Sequence, residues 1–304
     1  MTEHPHLLAA LSEQFSAIVQ RAASSVVAVH GGHRAFSSGI HWRAGVVVTA
    51  EEVLDRDDDI AVTLPGGRRV HASLAGRDPT TDIAVLRFES DGLPVAELGE
   101  VASLRAGHPV FAVGNNDGGP SAAFGIVAYA GEAWESRRGG TIDHLIQLDL
   151  SLDHSTEGGA LLDAEGRVLG MAVSGPRRRA LAIPRPTIDR VVDQLLAKGR
   201  IARGYLGAGL QAARFARRSG APSPDDGRGV LVVSIDADGP GARSGLLVGD
   251  IITAWNDKPV ARVREVMRLL GPDSVGARIK LSLLRGGAPA TLDVAVGERP
   301  SRER

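Results

Sequence analysis

Residues 146–173 read IQLDLSLDHSTEGGALLDAEGRVLGMAV, and this stretch decides the fold class. Its runs GALLD (159–163) and RVLGMAV (167–173) are short and aliphatic, and the turn signal Asp163-Ala164-Glu165-Gly166 separates them. Runs of this length bounded by such residues predict strands rather than helices. The pattern recurs outward along the chain as SVVAV (25–29), GVVVTA (45–50), DIAVTL (59–64), DIAVLRF (82–88), HPVFAVG (108–114), FGIVAYAG (124–131) and HLIQLDL (144–150). Further turn signals fall at Pro65-Gly66-Gly67 and Asn115-Asn116-Asp117-Gly118. Many short strands at regular spacing predict an antiparallel sandwich or barrel.

Two stretches keep helical spacing instead. Leu7, Leu8, Leu11, Phe15, Ile18 and Val19 predict an amphipathic helix over 6–22 that lies against a later core. Pro184 and Pro186 introduce residues 187–198, where Ile188, Val191, Val192, Leu195 and Leu196 form an apolar stripe that ends before Gly199. This second helix is expected to join two domains. Beyond it, a unit over 205–296 reads as a strand, a polar loop (217–229), GVLVVSI (229–235), a short helix near 241–244, DIITAWN (250–256), a helix over 262–270, and the strands RIKLSLL (278–284) and TLDVAV (291–296). The two units share no repeat. Domains are expected at 1–199 and 203–297, with a tail at 298–304.

Composition agrees with this division. A chain of 304 residues has room for two hydrophobic cores. Hydrophobic residues make up 43% and charged residues 23%, so bulk disorder and fibrous repeats are excluded. Lys+Arg is 35 against Asp+Glu 36, which leaves no global field for nucleic acid or an anionic membrane. The 38 glycines against six Phe, three Trp and two Tyr favour tight turns between aliphatic strands. With no cysteine, disulfides, thiolate metal sites and a cysteine nucleophile are excluded. No run of about 18 apolar residues predicts a membrane span. The N-terminal stretch lacks a basic start and an unbroken apolar run, so a cytoplasmic location is the expectation.

With these patterns in place, the chain resembles the HtrA/DegP family of trypsin-type serine proteases with a C-terminal PDZ domain. The resemblance rests on GVVVTAEEVL (45–54), IAVTLPGGRRVHASLAGRDPTTDIAVLRF (60–88), HPVFAVGNN (108–116), FGIVAYAG (124–131), the 146–173 stretch, RVVDQLLAKGRIARGYLG (190–207) and GPGARSGLLVGDIITAWNDKPV (239–260). It implies a mainly β chymotrypsin-like double antiparallel barrel followed by a small, circularly permuted α+β PDZ domain. It also implies a triad of serine, histidine and aspartate with backbone N–H groups to hold an oxyanion. Here the aspartate of the family motif is matched by Asp82, within Asp78-Pro79-Thr80-Thr81-Asp82. The histidine position holds Glu52 and the serine position holds Glu157. Ser155 replaces a glycine of the former oxyanion loop Ser155-Thr156-Glu157. The matching chain is therefore a catalytically degenerate member. The short connection over 38–46 leaves no room for the long interlocking loop of some relatives, so cage assembly is not implied. Arg177-Arg178-Arg179 would sit awkwardly beside an apolar specificity pocket.

Three carboxylates in one former triad cannot all ionise cheaply. The pattern leaves three possibilities open: a vestigial polar cleft capped by an arginine, an oxygen-lined site for Ca²⁺ or Mg²⁺, or an acid pair that activates water. No cofactor and no resident metal is expected. Asp57-Asp58-Asp59 has the charge of a calcium loop but not its spaced ligands, and reads as a solvated turn. His4, His6, His30, His33 and His41 lack two-ligand helical spacing. His154 reads either as a partner for Glu52 or Glu157 or as an exposed side chain.

The PDZ-like unit implies capture of a peptide C-terminus by backbone N–H groups of the loop Gly204-Tyr205-Leu206-Gly207-Ala208. Leu206, Leu210, Val263, Met267 and Leu270 are the expected pocket wall, although the same residues also suit a closed core. The favoured reading is a non-proteolytic scaffold that binds polypeptide C-termini or unfolded segments, or a paralogous active protease, with homo-oligomerisation open. A carboxylate-based endopeptidase and a cation-responsive scaffold are the alternatives.

Overall fold

The computed structural model describes residues 6–31, 36–90, 92–136, 138–176, 179–215 and 227–300. The chain divides into two compact units, one ending at Ile201 and the other beginning at Ala202.

The first unit opens with α1 (His6–Ala23), followed by β1 (Val26–His30), β2 (Ser37–Arg43), β3 (Val46–Thr49), β4 (Ile60–Thr63), β5 (Arg69–Asp78) and β6 (Ile83–Phe88). Then come β7 (Pro109–Asn116), β8 (Gly119–Gly131), β9 (Trp134–Glu135), β10 (Thr141–Ile142), β11 (Leu145–Asp149), β12 (Ala160–Leu162), β13 (Val168–Ser174), β14 (Ala180–Pro184) and α2 (Arg185–Lys198). Two closed six-stranded antiparallel barrels result, in the orders β1-β2-β3-β6-β5-β4 and β11-β14-β13-β12-β7-β8.

The unbroken valine runs follow from burial on both sides of a strand. Val27, Val29 and Val47 point into the first barrel beside Ile60, Val62 and Leu86. Their neighbours Val26, Val46 and Val48 point outward, into a core shared with Val113, Leu162 and Met171 of the second barrel. Side chains alternate faces along a strand, so a run buried on both faces has no polar position. The two helices seal this core: Ile18 and Ala22 of α1 and Ile188, Val191, Val192 and Leu195 of α2 lie within it. Trp42 Nε1 donates to Asp189 Oδ1 at 2.8 Å and anchors α2 to β2. Pro186 is tolerated in the first turn of α2, and Gly199 ends the helix with φ +70°.

The second unit comprises β15 (Gly204–Tyr205), β16 (Ala208–Arg214), β17 (Arg228–Ile235), α3 (Pro240–Arg243), β18 (Ile251–Trp255), β19 (Lys258–Pro259), α4 (Val263–Leu269), β20 (Arg278–Arg285), β21 (Ala288–Ala295) and β22 (Gly297–Glu298). Its main sheet runs β16-β17-β18-β20-β21, with β19 paired to β18 and β15 to β22. Val230, Val232, Ile252, Trp255, Leu281 and Leu283 of the sheet pack with Leu206, Val266 and Leu270. The expected loop over 217–229 falls mostly outside the described residues, as do His4, His33, Arg177 and Arg178. No helix among the described residues is long and apolar enough to cross a membrane.

Candidate functional site

A cleft of about 490 Å³ opens on the first unit. Glu52, Pro79, Thr80 and Asp82 line one side, and Trp134, Ser136 and Arg138 stand near them. The other wall is apolar, from Ile142, Val173, Leu181 and Ile183, with Ser174, Gly175 and Pro176 at the segment after β13. Two short elements place the acids. A 3-10 turn over Glu51–Val53 follows β3, and the turn after β5 is tied by Asp78, which accepts from the hydroxyls of Thr80 and Thr81, each at 2.7 Å. Asp82 then takes φ +57°, a left-handed conformation that aspartate tolerates better than most residues.

Asp82 Oδ1 accepts the backbone N–H of Glu52 at 3.0 Å. Burial pushes the Asp82 carboxyl up to about 7 from 3.8, helped by the negative charges of Glu52 and Glu51 and opposed by the backbone N–H groups of the same two residues. Glu51, which sequence reasoning missed, is buried and paired with Arg77 at 3.4 Å and Arg138 at 3.5 Å. Arg77 also donates to the carbonyls of Leu54 and Arg56 and to Asp57. The signal was the adjacent pair Glu51-Glu52, with an arginine just before the Asp78 turn.

The expected cluster of three carboxylates is therefore only partly assembled. The structure brings Glu52 and Asp82 together with Glu51, while Glu157 is buried in its own loop and does not line the cleft. That loop is held from within. Asp153 Oδ1 accepts from the N–H of Ser155 at 2.9 Å and of Thr156 at 3.0 Å, and from the hydroxyl of Ser155 at 2.7 Å. The N–H of Glu157 donates to the Asp153 carbonyl at 3.0 Å. Burial opposes ionisation of Asp153, but these donated bonds outweigh it and hold the carboxyl below its ordinary range. Ser38 of β2 clamps the loop from the other barrel: its N–H donates to the Glu157 carbonyl at 2.9 Å and its hydroxyl to the Ser155 carbonyl at 2.7 Å. Gly158, at φ +78°, must be glycine, because a Cβ would stand 2.4 Å from the Ser38 carbonyl oxygen.

An oxyanion hole needs backbone N–H groups that point at an incoming oxygen. Here the N–H groups of residues 155, 156 and 157 all donate to Asp153. Among the described residues no group of three or more His, Asp or Glu side chains has the arrangement to hold a metal ion. His30 bonds Thr63 at 2.8 Å, His41 bonds the Pro94 carbonyl at 2.8 Å, and the His154 ring packs on Phe36 with centroids 5.1 Å apart. The N–H of Gly175 donates to the Arg179 carbonyl at 2.8 Å.

In the second unit, α4 packs beside β16, next to the loop between β15 and β16. Leu206 and Leu270 are buried in the core, and Ala208, Leu210, Val263 and Met267 are half-buried hydrophobics packed against it. Val266, on the adjoining face of the same helical turn, is fully buried in the core. The carbonyls of Leu206 and Gly207 accept from Gly241 and Asp236, each at 2.7 Å, which fixes the loop. The N–H groups of Leu206 and Gly207 have no hydrogen-bond partner among the described residues. Gly207 has φ +69°, and a Cβ there would stand 2.8 Å from Gly239 Cα. Tyr205 donates its hydroxyl to Asp236 at 3.1 Å.

Two barrels with a cleft, followed by a sheet with an open edge strand beside a helix, define a trypsin-like peptidase fold joined to a PDZ domain. The family models match accordingly: a trypsin-like peptidase domain over 37–171 and a PDZ domain over 204–296. The chain belongs to the HtrA/DegP family. It is 33% identical over 265 residues to a "Probable periplasmic serine endoprotease DegP-like" of Pseudomonas putida (strain W619), covering 84% of this chain and 54% of that one. A relative of the same name from Halomonas elongata is 31% identical over 269 residues, with 86% and 56% covered. The chain thus spans about half the length of the curated relatives it matches. A solved structure described as "HtrA-type protease AlgW with decapeptide" superposes with a TM-score of 0.75 at 26% identity, over 95% of this chain and 99% of that one. The serine endoprotease from Yersinia pestis gives 0.73 at 29%, over 94% and 98%.

These relatives correct the expected cytoplasmic location. They are named periplasmic, which points to an extracytoplasmic setting. Export is directed by a segment that transport machinery reads, not by the folded domains. The N-terminal stretch on which the expectation rested forms α1, and its packing on the barrels has no bearing on compartment.

Proposed function

We propose that this chain binds extended polypeptide segments through its PDZ groove and does not cleave them by a serine mechanism. The observation that carries the reading is the state of the loop at 153–157. Its nucleophile position is Glu157, and its N–H groups are spent on Asp153. A carboxylate there cannot form a serine acyl-enzyme, and no N–H remains directed at a tetrahedral oxygen. Glu52, in the position of the general base, offers a carboxylate in place of an imidazole, and its backbone N–H donates to Asp82. The first unit then acts as a structural body for the PDZ domain.

Peptide capture is supported by the open edge of β16, the half-buried apolar wall and the two unpartnered N–H groups of the loop. It is supported also by relatives solved with a decapeptide and with a tripeptide. In this reading Tyr205, Leu206, Gly207 and Ala208 form the carboxylate loop, and Leu210, Val263, Met267 and Leu270 hold the last side chain. The test has two arms: anisotropy of a labelled peptide with a free apolar C-terminus, and hydrolysis of an unfolded protein. Binding that amidation of the peptide abolishes, with no cleavage, is expected. Cleavage that continues in Glu157→Ala and stops in Asp82→Asn would favour a second reading, a water-activating acid pair. That alternative draws on one observation, an Asp82 carboxyl near 7 beside Glu52.

A further inference from the structure

We infer that the PDZ groove selects segments that are acidic over the residues just before an apolar C-terminus. This rests on the peptide-binding reading above and names the partner's chemistry. The direction of a bound strand follows from the fold. The N–H of Gly204 donates to the Leu270 carbonyl at 3.0 Å, so the C-terminal end of α4 lies beside the carboxylate loop and its N-terminal end lies farther along the groove. A peptide whose carboxylate reaches Leu206 and Gly207 therefore passes Met267 and then Val263 as it runs back toward its own N-terminus.

Among the described residues, arginines stand along this path on both β16 and α4. One position on from Val263 and Met267 in the helical order stand Arg264 and Arg268, both exposed on the adjoining stripe of α4. Arg214, also exposed, ends β16, six residues past Ala208 and so about 20 Å along the strand. Neither Arg214 nor Arg264 has an ion-pair or hydrogen-bond partner among the described residues. The acid of α4 does not offset them. Glu265 Oε2 accepts the N–H groups of Ala261 at 2.8 Å and Arg262 at 3.1 Å, and caps the helix. Asp236, near the loop, takes the Tyr205 hydroxyl. Arg214 at the end of the edge strand and Arg264 on the helix beside it favour carboxylates in the added strand, by attraction and by the cost that a cationic segment would meet.

The experiment uses the full chain and three labelled decapeptides that end in valine. One carries Asp or Glu at the second to sixth positions before the C-terminus, one has alanine and serine there, and one has lysine. A C-terminally amidated acidic peptide is the control. The acidic peptide is expected to bind about tenfold more tightly than the neutral one at low salt and the lysine peptide more weakly still, with the spread shrinking in 0.5 M salt. Arg264→Glu, an exposed change with its fold checked by circular dichroism, should remove most of the difference while amidation still abolishes binding. Equal affinities for the acidic and neutral peptides, with binding that amidation removes, would overturn this inference and leave the peptide-binding reading standing. No binding by any peptide would overturn both.

Discussion

Replacing Asp82 with asparagine gives a test whose size follows from the site. The carboxyl stands near 7 in the folded chain against 3.8 as its ordinary value, chiefly because it is buried. A raised carboxyl favours the folded state while protonated. Its contribution is complete below about 3.8 and is lost as pH rises through about 7. Between pH 5.5 and pH 8.5 linkage takes about 2 kcal/mol of stability from the native chain, and partial solvent access lowers this to about 1–2 kcal/mol. Asparagine carries no charge, tolerates the left-handed backbone at φ +57°, and keeps an oxygen for the N–H of Glu52. The effect of Asp82→Asn on unfolding free energy should therefore shift in favour of the variant by about 1–2 kcal/mol from pH 5.5 to pH 8.5. Urea unfolding of both proteins at the two pH values measures it, and histidines common to both cancel in the difference. A pH-independent difference, or a shift toward the native chain at pH 8.5, would refute the account of a costly buried charge. Glu52→Gln removes one of the two repelling charges, so it should reduce the pH dependence without abolishing it.

Three further outcomes follow from the same contacts. Asp153→Ala removes the acceptor for two N–H groups and should lower stability by about 1–2 kcal/mol, read as a fall in Tm of about 2–8 °C. Because the Asp153 carboxyl is held low, its stabilisation is present above about pH 4 and fades as pH falls through the folded value, and so should the cost of the variant. Glu52→His combined with Glu157→Ser should still react with a fluorophosphonate at least about 10²-fold more slowly than an active relative, because the loop N–H groups remain bound to Asp153; rapid labelling would show that the loop opens readily. Gly207→Ala should destabilise the second unit by about 1–3 kcal/mol in a denaturant melt and abolish peptide capture, since the position is left-handed and crowded by Gly239.

Much of the fold was legible where a strand or helix carries its own signal. The runs at 45–50, 82–88 and 108–114 became β3, β6 and β7, and the helical stripes at 6–22 and 187–198 became α1 and α2. β2 and β5 were missed because they read SSGIHWR and RVHASLAGRD, polar sequences with no aliphatic run. β2 is almost wholly buried all the same. Ser38 gives its hydroxyl to Ser155 and its N–H to Glu157, partners more than 110 residues away, and His41 bonds the Pro94 carbonyl. A buried polar strand is affordable only when such distant groups are in place, and no local pattern announces them.

The site divides along the same line. The resemblance to the family's motifs carries the proposal that Glu52 and Glu157 stand where the family has a histidine and a serine, since chemical identity is written in the chain itself. The sequence also established the two-unit order and the lack of thiol chemistry. Only the tertiary structure decided that Glu52 and Asp82 meet beside Glu51, that Arg77 and Arg138 pair Glu51, and that Glu157 is buried and does not line the cleft. It alone decided that Asp153 consumes the loop's N–H groups. The reason is physical: ionisation, burial and the direction of an N–H depend on what lies within a few ångströms in space, and in this fold those neighbours come from strands and turns far apart in the chain.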